Sequence, residues 1–184
     1  MVQTIALGQF KDREGEHAEE FGGEVYSDVW GLAPVELRRG RKYYVTFIDD
    51  KSQLMTLYPL KTKDKIPWAY KQYKAWVETE MGKKVKVLNS DRGEYQGADF
   101  IEYLKTKGTV QKLNIHDTPQ HIGVAECCNR MIGEHIHALL HASGLPKSLW
   151  GEAARHVVWL LNRMTTKAVE GMTPFEAIFG KNQT

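Results

Sequence analysis

Cysteine is nearly absent from this chain of 184 residues: there are two, Cys127 and Cys128, and they are adjacent. Neighbouring cysteines rarely bridge each other, and no others supply a framework, so a reducing compartment is expected. The pair also lacks the spacing of a structural zinc site, and two partly buried helix cysteines are the plainer reading. Long apolar runs are missing too. The longest near the C-terminus, Val157 to Leu161, is far too short to span a bilayer, and the N-terminus has no apolar core of the signal-peptide kind. A nuclear or cytoplasmic protein, neither secreted nor membrane-bound, is the expectation. Charge of one sign is lacking as well. Lys and Arg number 25 against 23 Asp and Glu, so composition alone does not announce a nucleic-acid binder. There are no repeats and no low-complexity segments.

What is present is a soluble globular composition, 42% hydrophobic and 26% charged, long enough for one domain with a real core. Residues 1–22 are polar and acidic with little periodicity and read as a tail or linker remnant. Residues 23–184 read as the domain. A first strand is expected over 24–31. A basic turn, Arg38-Arg39-Gly40-Arg41-Lys42, leads to a second strand over Tyr43–Ile48, and the turn Asp49–Ser52 leads to a third over Leu54–Leu60. Two tight connections among three strands suggest an antiparallel meander. Trp68, Tyr70, Tyr73, Trp76 and Val77 recur at helical spacing within Asp64–Met81, which puts both tryptophans in the core, and Gly82 ends that helix. A strand follows, Lys84 to Asp91. Then come a short helix over 98–107, a strand over Thr109–Ile115, a loop at 116–121 and a long helix over about 123–142. Gly144-Leu145-Pro146 breaks that helix. A helix over Ser148–Met164 directs Leu149, Ala153, His156, Val157, Leu160 and Leu161 inward. Thr173-Pro174-Phe175-Glu176 caps a last short one. This order gives an α/β protein, a mixed sheet with helices packed on its faces.

Three acids stand out. Asp28 lies inside the apolar strand Val25-Tyr26-Ser27-Asp28-Val29-Trp30, where a carboxylate is costly unless paired or metal-bound. Asp91 ends the later strand. Glu126 sits in Gly123-Val124-Ala125-Glu126, which opens the long helix. If the three converge, their oxygens suit a hard cation such as Mg²⁺. Each also has a plain reading: a surface strand residue for Asp28, a turn-forming Asp before Arg92-Gly93 for Asp91, and a first-turn glutamate favoured by the helix dipole for Glu126. Asp49 and Asp50 resemble a fourth acidic site but read better as the turn between the second and third strands. His137 and His141 stand at i, i+4 on one helix. A metalloprotease pattern needs Glu directly after the first His, and that position is Ala138.

Six segments in order resemble the catalytic core of integrases from copia-type LTR retrotransposons, members of the DDE-type, RNase H-like superfamily. They are Ser27–Gly31, Tyr44–Asp50, Val87–Tyr95, Thr118-Pro119-Gln120 with Gly123–Glu126 and Asn129-Arg130, Gly144–Trp150, and Thr173–Glu176. The resemblance runs from about 24 to 181. It implies an RNase H-like fold with a mixed five-stranded sheet and helices on both faces. It also implies Asp28, Asp91 and Glu126 as the acidic triad. The chemistry it implies is trimming of the 3′ ends of element DNA, followed by attack of the new 3′ hydroxyl on a target phosphodiester. Two Mg²⁺ or Mn²⁺ ions about 3.5–4 Å apart suit that chemistry, with Asp28 bridging both, Asp91 holding one and Glu126 the other. The implied partners are double-stranded DNA, further copies of the chain when active, and other segments of a polyprotein.

For DNA contact the candidates are Arg130, Asn129, Gln120 and Lys84. Arg130 lies four residues after Glu126 on one helical face and is placed either to hold a phosphate or to pair with Glu126 or Glu134. Lys83, Lys84 and Lys86, like the basic turn at 38–42, suit a DNA backbone or simply a solvated face. The chain departs from the family pattern in four ways. One glycine rather than two follows Asp91, so the gap to Glu126 is one residue short. Ile122 precedes Gly123. Cys127, Cys128 and Met131 replace polar positions, which thins the DNA-binding face. Gly133, His135 and His137 weaken the helix. An active integrase core and a catalytically inactive, decayed RNase H-like module that binds nucleic acid or itself are therefore the two readings.

Overall fold

A computed structural model describes residues 17–37, 40–91, 93, 95, 97–114 and 119–180, and for 114 and 119–126 the backbone alone. Five strands, β1 (Glu24–Trp30), β2 (Tyr43–Asp49), β3 (Met55–Leu60), β4 (Val87–Asp91) and β5 (Val110–Asn114), form one sheet in the order β3-β2-β1-β4-β5. β1, β2 and β3 pair antiparallel, while β4 is parallel to both β1 and β5. The sheet is mixed, as expected, and its meander is the expected one. The connection from β2 to β3 is tight because Asp49 holds it: its Oδ2 accepts from the backbone N and the Oγ of Ser52 at 2.8 and 2.7 Å. The connection from β1 to β2 is not tight. It runs over residues 31–42 as a loop whose Leu37 is buried.

Alternation along the strands sends each face to a different helix pair. Val25, Val45 and Phe47 face α1 (Ile66–Glu80) and α2 (Ala98–Thr106), packing on Ile66, Tyr70, Tyr73, Val77, Phe100 and Leu104. Tyr26, Tyr44 and Ile48 face α3 (Pro119–Ser143) and α4 (Trp150–Leu161), packing on Cys128, Ile132, Ile136, Trp150, Val157 and Leu161. The short α5 (Pro174–Phe179) opens on a complete capping box, Thr173 Oγ1 accepting from the Glu176 N at 3.0 Å while Glu176 Oε2 accepts from the Thr173 N at 2.9 Å. Among the described residues no helix is long and apolar enough to cross a membrane.

The structure corrects several expectations. Trp68 is 52% exposed rather than in the core, because α1 turns Ala69, Tyr70 and Tyr73 inward and leaves position 68 on the outer edge; Trp76 packs at the core margin. On α4 the inward face is Trp150, Gly151, Ala154, Val157, Val158 and Leu161. His156 lies outside and stacks on the exposed Trp159 at 5.8 Å. The long helix begins at Pro119, not near Gly123, so positions 119–121 are helical and not loop. Proline needs no helical N–H in the first turn, and its fixed φ suits that place. Glu126 is thus two turns into α3, and the first-turn dipole reading of it no longer applies. Residues 17–22 pack onto the sheet: Phe21 is buried in the core, and Asp50 Oδ2 accepts from the Ala18 N at 2.6 Å.

Candidate active site

The site is built where β1 and β4 leave their shared ladder. Those strands pair from Glu24↔Val87 to Tyr26↔Asn89. Two residues further along each strand, Asp28 and Asp91 stand at equivalent positions, and by alternation both look to the α3 face. Asp28 is half-buried. Its Oδ1 accepts from the backbone N of Val29 at 2.8 Å, and its Oδ2 accepts from Nδ2 of Asn129 on α3 at 2.7 Å. Asp91 is exposed at the end of β4, where the parallel ladder to β5 continues to Asp91↔Asn114. Glu126 lies three residues before Asn129, hence on the same side of α3 by backbone position, and its side chain lies outside the described residues.

The surroundings of Asp28 are apolar and crowded. Trp30 stacks on Tyr44 at 5.1 Å and meets Trp150 edge-on at 5.6 Å. Burial first, then the Asp28 carboxylate, pushes the Tyr44 hydroxyl well above the usual phenol range. Burial also pushes the Cys128 thiol far up, with Cys127 and Asp28 adding to it. A carboxylate oriented by the Val29 N–H and the Asn129 amide is a hard oxygen donor of the kind that suits a small divalent cation. Beside it the buried Oδ1 of Asn129 has no hydrogen-bond partner among the described residues, which marks a second oxygen donor at the same spot. The donor chemistry therefore fits a magnesium-like ion. Among the described residues no group of three or more His, Cys, Asp or Glu side chains is arranged to hold a metal.

Of the DNA-contact candidates, the structure brings Asn129 to Asp28. Arg130 points outward, its Nη2 3.7 Å from Cys127 Sγ, with no acidic partner among the described residues. Gln120 is on the first turn of α3, with its side chain outside the described residues. Lys84 is exposed but precedes β4, at the end of that strand away from Asp91; its neighbours Lys83 and Lys86 pair with Glu20 at 3.1 and 2.5 Å. Arg38 and Arg39 lie outside the described residues, and Lys42 pairs with Glu36 at 3.2 Å. Cys128 and Met131 are buried against the sheet, so of the three altered positions only Cys127 bears on an outward face. His137 and His141 are exposed and line a cleft of about 680 Å³ with Trp30, Ile136, Leu140 and Trp150. Sequence reasoning missed two features: the bond from Asn129 to Asp28, and a buried contact between Ser27 and Tyr95. The only signal for either was that these residues fall within the matched segments.

No protein-family model matches the chain. The Retrovirus-related Pol polyprotein from transposon TNT 1-94 of Nicotiana tabacum is 46% identical over 140 residues, covering 76% of this chain and 10% of the polyprotein. The corresponding Pol polyproteins from transposons RE2 and RE1 of Arabidopsis thaliana are 32% and 31% identical, each over 85% of this chain and 11% and 10% of their own lengths. The chain thus spans about a tenth of the relatives it matches. Among solved structures, a chain of the simian T-cell lymphotropic virus intasome in complex with PP2A regulatory subunit B56 gamma superposes with a TM-score of 0.70 at 14% identity, over 96% of this chain and 61% of that one. The HTLV-2 integrase catalytic core domain in complex with magnesium, in its trimeric form, superposes with a TM-score of 0.60 at 16% identity, over 85% of this chain and 96% of that one. The fold is that of the integrase catalytic cores, RNase H-like.

Proposed function

This chain is homologous to a segment of the Pol polyproteins of plant copia-type retrotransposons, and we propose that it is the catalytic core of such an element's integrase, cutting and joining DNA. In this reading Asp28, Asp91 and Glu126 form the acidic triad. The observation that carries it is the equivalent placement of Asp28 and Asp91 on neighbouring parallel strands, facing the helix that bears Glu126.

The protein's own part in the chemistry is positioning. β1 fixes the Asp28 carboxylate between the Val29 N–H and the Asn129 amide, which sets the orientation of its oxygens. Asp91 supplies a second carboxylate from a strand end that solvent and substrate reach. Glu126 supplies the third from a helix that packs across β1. Divalent ions, if held by Asp28, Asp91 and Glu126, would help activate an oxygen nucleophile and neutralise charge on the leaving oxygen. Arg130, on the outer side of α3, is placed to take a phosphate of the bound strand, with Gln120 and Lys84 as further backbone contacts. The substrates are double-stranded DNA, as element end and as target, and the active form holds more than one copy of the chain. The intasome and trimeric form named for the neighbours support that last point by analogy.

The test is a gel assay of 3′-end trimming and nicking on labelled DNA with Mn²⁺ or Mg²⁺, comparing the unaltered chain with Asp91→Asn. Metal-dependent cleavage that disappears in the variant supports the proposal. A folded chain that nicks no better than Asp91→Asn overturns it and leaves the catalytically inactive module as the reading.

A further inference from the structure

Where the β1–β4 ladder ends, one side-chain contact continues it. Ser27 Oγ and Tyr95 Oη are 2.6 Å apart, and both residues are buried. Ser27 directly precedes Asp28 on β1, and Tyr95 follows Asp91 by four residues. The contact lies on the α1–α2 face of the sheet, opposite the acids. Tyr95 is seated there by its ring, which stacks on Phe100 at 5.1 Å and meets Tyr70 edge-on at 6.5 Å. A tyrosine used only for packing would serve as well as phenylalanine. Here its hydroxyl reaches across to a serine that a purely apolar strand face would not carry.

The position gives the contact its meaning. On its β5 side Asp91 is held by the ladder as far as Asn114. On its β1 side the last paired residues are Tyr26 and Asn89, so among the described residues no backbone pairing fixes the gap between Asp28 and Asp91. We infer that Ser27 and Tyr95 form a clasp that sets this gap, and that they are positioning residues for the divalent-ion site. The inference rests on the proposed function. Two carboxylates that share an ion pair must hold their spacing within about half an ångström, and a strand end that splays loses that precision. Hydrogen-bonded hydroxyls at 2.6 Å, shielded from water, are suited to keep the strand end in place.

Three variants, Tyr95→Phe, Ser27→Ala and the pair together, test it on the full chain without DNA. Tyr95→Phe keeps the ring stack, and Ser27→Ala probes the same contact should the first variant fold poorly. Manganese binding, followed by calorimetry or by the loss of the free-ion electron paramagnetic resonance signal, is the primary readout. Each single variant should bind Mn²⁺ about fivefold more weakly, and the double variant should fall well short of the product of the two, because the Ser27–Tyr95 contact is lost in all three. Ser27→Thr, which keeps a hydroxyl, should bind as the unaltered chain does. Amide hydrogen exchange in metal-free protein should quicken at Ser90–Asp91 and at Tyr95 while Leu88 stays protected. Faster exchange with unchanged Mn²⁺ affinity would make the pair structural only and overturn the inference. An unaltered chain that takes up no Mn²⁺ would instead sink the proposed function, and this inference with it.

Discussion

Asn129 and Asp28 are 101 positions apart in sequence and joined by a 2.7 Å hydrogen bond, the amide Nδ2 donating to the carboxylate Oδ2. A hydrogen bond to a charged group is worth about 1.5–3 kcal/mol. It also orients the Asp28 carboxylate. Asn129→Ala should therefore lower Mn²⁺-dependent nicking by on the order of tenfold or more, and Asn129→Asp should lower it further, because a second carboxylate against Asp28 raises the pKa of the pair. Steady-state nicking rates of the two variants check this. Full activity in Asn129→Ala would show that Asp28 needs no such support.

The fold was legible wherever period and punctuation agreed. Strands alternated, Tyr70, Tyr73 and Val77 marked an inward helix face, and Thr173-Pro174 announced a capped helix that the structure bears out. The order β3-β2-β1-β4-β5 was not legible, because pairing partners leave no trace in a single sequence; the family resemblance implied only a mixed five-stranded sheet. The start of α3 was missed because Gly123 reads as a helix opener when nothing shows that Pro119 is already helical. On α4 Val157 and Leu161 face inward as expected, while His156 does not, and Ala154 and Val158 were missed because an apolar stripe through Ala153, His156 and Leu160 reads equally well one step round the helix. Asp28 was recognisable as an unusual acid, but its partner across 101 positions was not.

Gly151 on α4 faces Leu37 from the β1–β2 loop so closely that a Cβ there would strike the Leu37 side chain. Leu37 is itself buried, which limits how far it can yield. Gly151→Ala gains about 1 kcal/mol in helix propensity but should lose more than that to overpacking, typically 1–3 kcal/mol. In a Leu37→Ala background the clash is gone, and the same substitution should turn stabilising. Urea denaturation of the four proteins gives the signs. Gly151→Ala stabilising in the unaltered background would mean the loop gives way freely.

Lys74 is fully buried, yet its Nζ reaches Glu78 at 3.0 Å and Thr109 Oγ1 at 3.3 Å. Glu78 is 36% exposed, so losing its partner does not strand a buried charge. Desolvating an ammonium is costly, and apolar replacements of similar volume are often neutral or better. Lys74→Met should be neutral or stabilising by about 1 kcal/mol, whereas Lys74→Ala, which leaves a void, should lose about 2 kcal/mol or more. Thermal melts of both variants decide it. Equal destabilisation by Met and Ala would show that the ion pair matters more than the volume.

Asp49 is buried at the end of β2, and burial raises its pKa despite hydrogen bonds from the Gly22 N and from Ser52. A carboxyl whose folded pKa is raised binds its proton more tightly in the native state. Its contribution to stability is then fully present below the ordinary value near 3.8 and is lost as pH climbs through the higher folded value. Asp49→Asn removes that titration. The stability difference between the unaltered chain and the variant, from urea curves taken at intervals upward from pH 3.5, should fall with rising pH and then level off. The slope distinguishes this from a carboxylate held ionised by its donors, which would make the same difference rise over the window. Since Asp49 closes the β2–β3 turn and also anchors Gly22 ahead of β1, the strand that bears Asp28 and its antiparallel neighbour β2 would register the change together.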